Sequence, residues 1–167
     1  TANGGGGGLR CTTNSDPTLV NVLISDNTAT QEGGGVFCYN SDPSFINVTV
    51  SGNVSSIDDG GGMFIKSNSS MHLLNTIIGG NESNEIEFSS DNNSSTITIS
   101  YSNIEGGQDS IATNDNGTVT WGDGNVDIDP VFVNADSSDY HLSDLSPVIS
   151  AGTASVEING KCEITGL

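Results

Sequence analysis

Basic residues are nearly missing from this chain: Arg10, Lys66 and Lys161 stand against 21 carboxylates in 167 residues, a formal net charge of −18. Such a surface repels polyanions, which makes nucleic acid and anionic membranes poor partners. Aromatics are scarce at 5% and apolar residues reach only 33%. That composition suits disorder, unless a repeating fold spreads a thin core along an axis. No apolar run is long enough to span a bilayer, and neither a signal-peptide pattern nor an initiating Met is present. The chain opens inside a repeat, so a mature fragment or excised domain of a larger parent with neighbouring domains is expected. Cysteine is limited to Cys11, Cys38 and Cys162, an odd count that excludes complete pairing within the chain.

What the chain has in quantity is glycine, 22 residues of it, with abundant Asn, Ser and Asp. Three triglycine segments end at Gly8, Gly35 and Gly62, 27 residues apart each time. Each is followed by an apolar–any–apolar triplet: Leu9-Arg10-Cys11, Val36-Phe37-Cys38 and Met63-Phe64-Ile65. A polar turn comes next, then an apolar pair and Asn: Leu19-Val20-Asn21, Phe45-Ile46-Asn47, Leu73-Leu74-Asn75. The units close on "ISDN", "VSGN" and "IGGN". Two degenerate units carry strands at "EIEF" (85–88) and "GTVTW" (117–121).

Segments this short cannot bury a face alone, whereas stacked coils of about 27 residues bury a continuous core. The pattern predicts an all-β right-handed parallel β-helix of about five coils over residues 1–153, with 154–167 as a tail or cap. Period-2 alternation places Leu9, Val36, Met63, Ile86 and Val119 inward, beside Cys11, Cys38, Ile65, Phe88 and Trp121. Asn21, Asn47 and Asn75 fall in one column, where stacked amides can satisfy turn backbone groups. Cys11 and Cys38 share a column one coil apart; parallel side chains orient poorly for a disulfide, so stacked buried thiols are expected.

"GGGVF" preceded by "ISDN" or "VSGN" resembles the GGA-type and FxxN-type repeats of bacterial polymorphic outer-membrane proteins and related β-helices. The stretch "ISYSNIEGG … GNVDIDPVFVNADSSDYHLSDLSPVISAGT" (99–153) resembles the C-terminal end of bacterial secreted pectate-lyase-like β-helix proteins. The tail "ASVEINGKCEITGL" lacks the Asp-Met-Gly-Ala-Tyr ending common in that group. The resemblance implies an extracellular or cell-surface location and sugar bound on an outward sheet face.

On the first strand of each coil the outward residues are Arg10, Phe37, Phe64, Glu87 and Thr120, followed two places on by Thr12, Tyr39, Lys66 and Ser89. Rings flanked by Arg, Lys and Glu suit a saccharide, so Arg10, Phe37, Tyr39, Phe64, Lys66 and Glu87 are the candidate carbohydrate contacts. The alternative for these rings is a cross-strand ladder. Catalysis has less support. Glu85 and Glu87, at i and i+2, stand roughly 6.5–7 Å apart, a spacing compatible with an inverting carboxylate pair. Of the Asn-Thr-Asp, Asp-Asp, Gly-His-Gly and Arg-x-Lys sets of β-helix galacturonases, only Asp58-Asp59 is matched. Lyases of this fold need a basic proton acceptor and usually calcium, and bases are nearly absent; His72 and His141 have no partner pattern.

Asp123, Asn125, Asp127 and Asp129 alternate like the start of an EF-hand loop, but Ile128 and Asn134 occupy the places of its glycine and glutamate. No cofactor is expected beyond adventitious Ca²⁺. Asn-x-Ser/Thr triplets at Asn47, Asn53, Asn68, Asn81 and Asn116 are expected by chance in so Asn- and Ser-rich a chain. Ice binding is disfavoured because Thr12, Thr96, Thr98, Thr118 and Thr120 form no regular column in the predicted register. The expected function is a non-catalytic surface adhesion or display module with glycan as its partner; the alternatives are a fragment of a polysaccharide lyase or glycoside hydrolase and a purely structural spacer.

Overall fold

The computed structural model describes residues 1–57, 59–158 and 161–164, with residues from 156 onward described by backbone alone. The chain winds as a parallel-strand β-solenoid of about four turns with a repeat of about 26 residues. Four strands form the first sheet in parallel register: Leu9–Thr12, Val36–Tyr39, Met63–Lys66 and Ile86–Phe88. The apolar–any–apolar triplets make this face. Alternate side chains turn inward and build two columns, Leu9–Val36–Met63–Ile86 and Cys11–Cys38–Ile65–Phe88. All are buried except Leu9, which sits half-buried on the outermost turn.

The second sheet stacks Thr18–Ser25, Ser44–Ser51, Ser70–Leu74, Ser95–Ser100 and Gly117–Trp121. The short strands Ile77–Ile78 and Asn103–Ile104 continue it beside the second half of Ser44–Ser51. A third, narrow side pairs Thr28–Ala29 with Val54–Ser55. Phe45, Val48, Met71, Leu73, Ile97 and Ile99 from the second sheet meet the first sheet's columns in one core. Each fully buried aliphatic side chain contributes about 1.5–3 kcal/mol. A thin core therefore suffices when it continues from turn to turn.

The glycines serve backbone approach. Gly34 N donates to Gly60 O at 3.0 Å and Gly35 N to Gly61 O at 2.9 Å, so the corners of adjacent turns are hydrogen-bonded chain to chain. A Cβ on Gly34 would stand 2.4 Å from Gly61 O and 2.5 Å from the Val54 carbonyl carbon. No side chain fits there.

Two expected positions move. Val119 and Trp121 were expected in the first sheet, but Gly117–Trp121 pairs with Ser95–Ser100, Val119 opposite Ile97 and Trp121 opposite Ile99. Ala112 takes the first-sheet place with a single bridge to Glu87, its N and O bonded to Ile86 and Phe88 at 3.1 and 2.8 Å. The turns accordingly number about four instead of five. The physical reason is that alternation reads alike on either sheet, and no triglycine precedes Gly117 to mark entry into the first. Asn21, Asn47 and Asn75 do share a left-handed turn conformation, with φ of 56°, 54° and 50°. The amide ladder joins only the first two, Asn47 Nδ2 donating to Asn21 Oδ1 at 3.0 Å. Asn75 exchanges two bonds with the backbone of Thr153 instead, so the C-terminal segment caps the column.

Beyond Trp121 the chain folds back along the solenoid. Phe132–Asn134 and Asp139–Leu142 form an antiparallel pair, and Phe132 meets Tyr140 edge-on at 5.3 Å. Tyr140 Oη donates to Asp26 Oδ1 at 2.8 Å, tying this segment to the first turn. Within the expected tail, Ser155–Ile158 and Lys161–Ile164 pair antiparallel.

Candidate functional site

On the first sheet's outer face, register places Arg10, Phe37, Phe64 and Glu87 in one row and Thr12, Tyr39 and Lys66 in the next. The contiguity is as the repeat predicts; the exposure is not. Phe37 and Phe64 are each only 5% exposed. Their rings stack at 6.4 Å with 7° between planes, and the Arg10 guanidinium lies over Phe37 at 4.4 Å. Arg10 Nη1 donates to Gly5 O at 3.0 Å, holding the glycine segment against Phe37, where a Cβ on Gly5 would come within 2.8 Å of the ring. The Gly5 segment and Arg10 cover Phe37, and the stacked Phe64 is equally buried, so those rings serve as a covered ladder. Tyr39 remains 41% exposed, between half-buried Thr12 and Lys66 in register, with exposed Arg10 diagonal to it. Lys66 Nζ stands 3.6 Å from Glu32 and 5.8 Å from the Phe64 ring centre.

The two glutamates considered for catalysis are both inside the structure. Glu87, 8% exposed, accepts from Gly60 N (2.9 Å), Asn84 Nδ2 (3.0 Å) and Asn114 Nδ2 (3.0 Å). Its oxygens are occupied in pinning three turns together, which removes it from the candidate carbohydrate contacts. Glu85 ends a buried ladder that the sequence reading did not assign. Asn53 Oδ1 accepts from Asn27 N and Nδ2, both at 3.0 Å, and Asn81 Oδ1 accepts from Asn53 N at 3.0 Å and Nδ2 at 2.9 Å. Glu85 then accepts from Asn81 N at 3.1 Å and Nδ2 at 2.5 Å. Burial pushes the Glu85 carboxyl up to about 7, the Asn81 bonds oppose the rise, and the neighbouring Glu105 carboxylate adds to it. The signal for this ladder was the Asn closing "ISDN", "VSGN" and "IGGN".

The threonines also move into order. Because Gly117–Trp121 joins the second sheet, Ser70, Thr96 and Thr118 form one outward column and Thr18, Ser44, His72, Thr98 and Thr120 the next. This overturns the expectation that they never align; Thr12 alone stays apart, on the first sheet. Thr96 Oγ1 donates to Ser70 Oγ at 3.0 Å, and Thr96, Thr118 and Thr120 are exposed.

The alternating residues 123–129 serve the backbone. Asn125 accepts from Ser102 N and donates to Ile99 O, while Asp127 and Asp129 accept from Gly106 N and Val131 N. Among the described residues, no group of three or more His, Cys, Asp or Glu is placed to hold a metal ion. Asp58 of the Asp58-Asp59 pair and the Cys162 side chain lie outside the described residues. His72 is exposed in the hydroxyl column, and His141 Nδ1 contacts Asp139 at 2.6 Å on the surface. Cys11 and Cys38 are register partners with free, buried thiols. Burial pushes Cys38 up to about 12, and its thiol donates to Ser41 O at 3.1 Å. Comparison with protein-family models, curated proteins and solved structures returns no match.

Proposed function

We propose that this chain is a non-catalytic extracellular solenoid acting as a surface adhesion or display module. The observation that carries the reading is the use of Glu85 and Glu87: the carboxylates best spaced for glycoside chemistry are buried and hydrogen-bonded to the scaffold. The repeats' likeness to bacterial surface and pectate-lyase-like β-helices supports the same assignment. Glycan contact then falls to the exposed edge of the first sheet, Tyr39 with Arg10 and Lys66, where one ring and two cations offer stacking and hydrogen bonds. An open edge encloses little ligand, so modest affinity for neutral or weakly charged glycans is expected. The test has two parts. Incubation with pectins, alginates and neutral glucans should release no reducing ends or unsaturated products; turnover lost in Glu87→Gln would support the lyase or hydrolase reading instead. A glycan array should give binding that Tyr39→Ala abolishes, and an array without binding favours a structural spacer.

The second sheet's hydroxyl columns favour a second reading, adsorption to ice. Strand geometry sets hydroxyl rows about 4.8 Å apart between turns and about 6.7 Å along a strand, a two-dimensional array able to order water. The strands carrying Ser70, His72, Thr96, Thr98, Thr118 and Thr120 contain no carboxylate, and the Asp42 carboxylate borders them at Ser70 N. Thermal hysteresis lost in Thr98→Lys would support it, and unshaped ice at millimolar protein would exclude it.

A further inference from the structure

We propose that the cleft between the solenoid flank and the returning C-terminal segment binds an organic polycation, of the class of the linear polyamines. The cleft encloses about 620 Å³, within the range of small-molecule sites. Its apolar lining is Ile77 from the flank and Pro130 and Phe132 from the returning segment. Glu105, Asp127, Asp129 and Asp136 stand around it. All four are exposed, so each carries its charge at the mouth.

Three features select the occupant. First, the carboxylates have no basic counterpart in the cleft, because the described basic side chains, Arg10 and Lys66, both lie on the first sheet. Second, they are spread too widely for one metal ion to gather three of them. A ligand with several separated positive charges matches the rim where a single cation does not. Third, the apolar lining and the edge-on Phe132–Tyr140 pair suit methylene spacers and an ammonium over a ring. The cleft walls are also fixed in place. Asn103 exchanges two bonds with Ile128, Glu105 accepts from Gly80 N, and Tyr140 is tied to Asp26. Asp127 and Asp129 spend one oxygen each on backbone N–H groups, leaving the other for a ligand.

Calorimetric titration with spermidine at physiological ionic strength tests the site. Saturable one-to-one binding is expected, with calcium chloride at equal ionic strength displacing it no better than sodium chloride does. The isosteric Glu105→Gln, Asp127→Asn, Asp136→Asn triple variant keeps oxygen acceptors for the backbone and should bind about tenfold more weakly. Asp136→Asn alone changes one exposed charge and should weaken binding about threefold. Asp115→Asn with Asp123→Asn removes exposed charge elsewhere and should leave affinity within about twofold. Absence of saturable heat, or equal weakening by the remote pair and by Asp136→Asn, overturns the proposal. It stands or falls apart from glycan binding at Tyr39, which is on the first sheet.

Discussion

Glu85 takes from Asn81 the same two donors, backbone N and side-chain Nδ2, that Asn81 takes from Asn53. A carboxylate thus stands in the place of the next asparagine. The substitution ends the ladder, because a carboxylate accepts but has no N–H to pass along. It also puts an acid 9% exposed beside Glu105.

That placement has a pH consequence. The Glu85 carboxyl rises from 4.5 to about 7, burial first and Glu105 last, against the Asn81 bonds. The native state therefore holds a proton that the unfolded chain releases. The associated stability is fully present below about pH 4.5 and is lost as pH rises through 7. Its size is on the order of 3 kcal/mol. Urea unfolding at pH 4.5 and pH 8 should show the wild type losing more stability than Glu85→Gln, which cannot ionise. Parallel pH profiles for the two would place the proton elsewhere.

The inner ladder should matter far more than the outer one. Asn53 is fully buried; its oxygen accepts two bonds from Asn27 and its amide donates to Ile24 O, Ser51 O and Asn81. Asn53→Ala strands these partners inside and should cost about 2–4 kcal/mol. Asn21→Ala removes one exposed amide contact and should cost under about 1 kcal/mol, apart from the strain of its positive φ. Equilibrium denaturation of both variants measures the contrast. Equal losses would mean that burial does not set the ladder's worth.

The glycine corners are tested by the smallest change available. Gly34 has ordinary φ, so alanine there is tolerated by backbone conformation and excluded by space alone. A methyl group 2.4 Å from Gly61 O must push two turns apart, breaking the Gly34–Gly60 and Gly35–Gly61 bonds that join them. Gly34→Ala should destabilise by about 2–3 kcal/mol or more, whereas Gly4→Ala, with open space around it, should be neutral within about 0.5 kcal/mol. Thermal melts of the pair decide.

The first three turns were legible because glycine, apolar triplet and Asn recur together, and each of those residues has one steric task. The fourth turn was not, since Ala112 alone stands where a triplet was sought and "GTVTW" alternates equally well for either sheet. The candidate contacts Phe37 and Phe64 read as surface because alternation points them outward. Phe37 is covered by Arg10 and the Gly5 segment of the preceding turn and Phe64 stacks on it, contacts that local pattern does not reveal. Glu87 was misread for the same reason, as its partners Gly60, Asn84 and Asn114 span 54 residues of chain.

The stacked thiols give a chemical check. Cys38 is pushed up to about 12 and Cys11 is also raised, both chiefly by burial, so neither holds appreciable thiolate at pH 8. Native protein treated with iodoacetamide at that pH should leave both unmodified by peptide mapping, and both should react in urea. Rapid native alkylation of Cys38 would mean that the first sheet opens locally. Recovery of a Cys11–Cys38 disulfide would contradict the free buried pair.

The outer aromatic row separates structure from recognition. Phe37 is packed under Arg10 and against Phe64, so Phe37→Ala opens a cavity below the glycine segment and should cost about 3–4 kcal/mol. Tyr39, two residues on and 41% exposed, touches less of the scaffold, and Tyr39→Ala should change stability by under about 1 kcal/mol. A glycan lost on Phe37→Ala alone would therefore report a damaged sheet. Loss on Tyr39→Ala, with an unchanged melting temperature, would place the contact on the exposed edge. If Phe37→Ala proves neutral to unfolding while Tyr39→Ala is severe, the covered and exposed rows have been assigned the wrong way round.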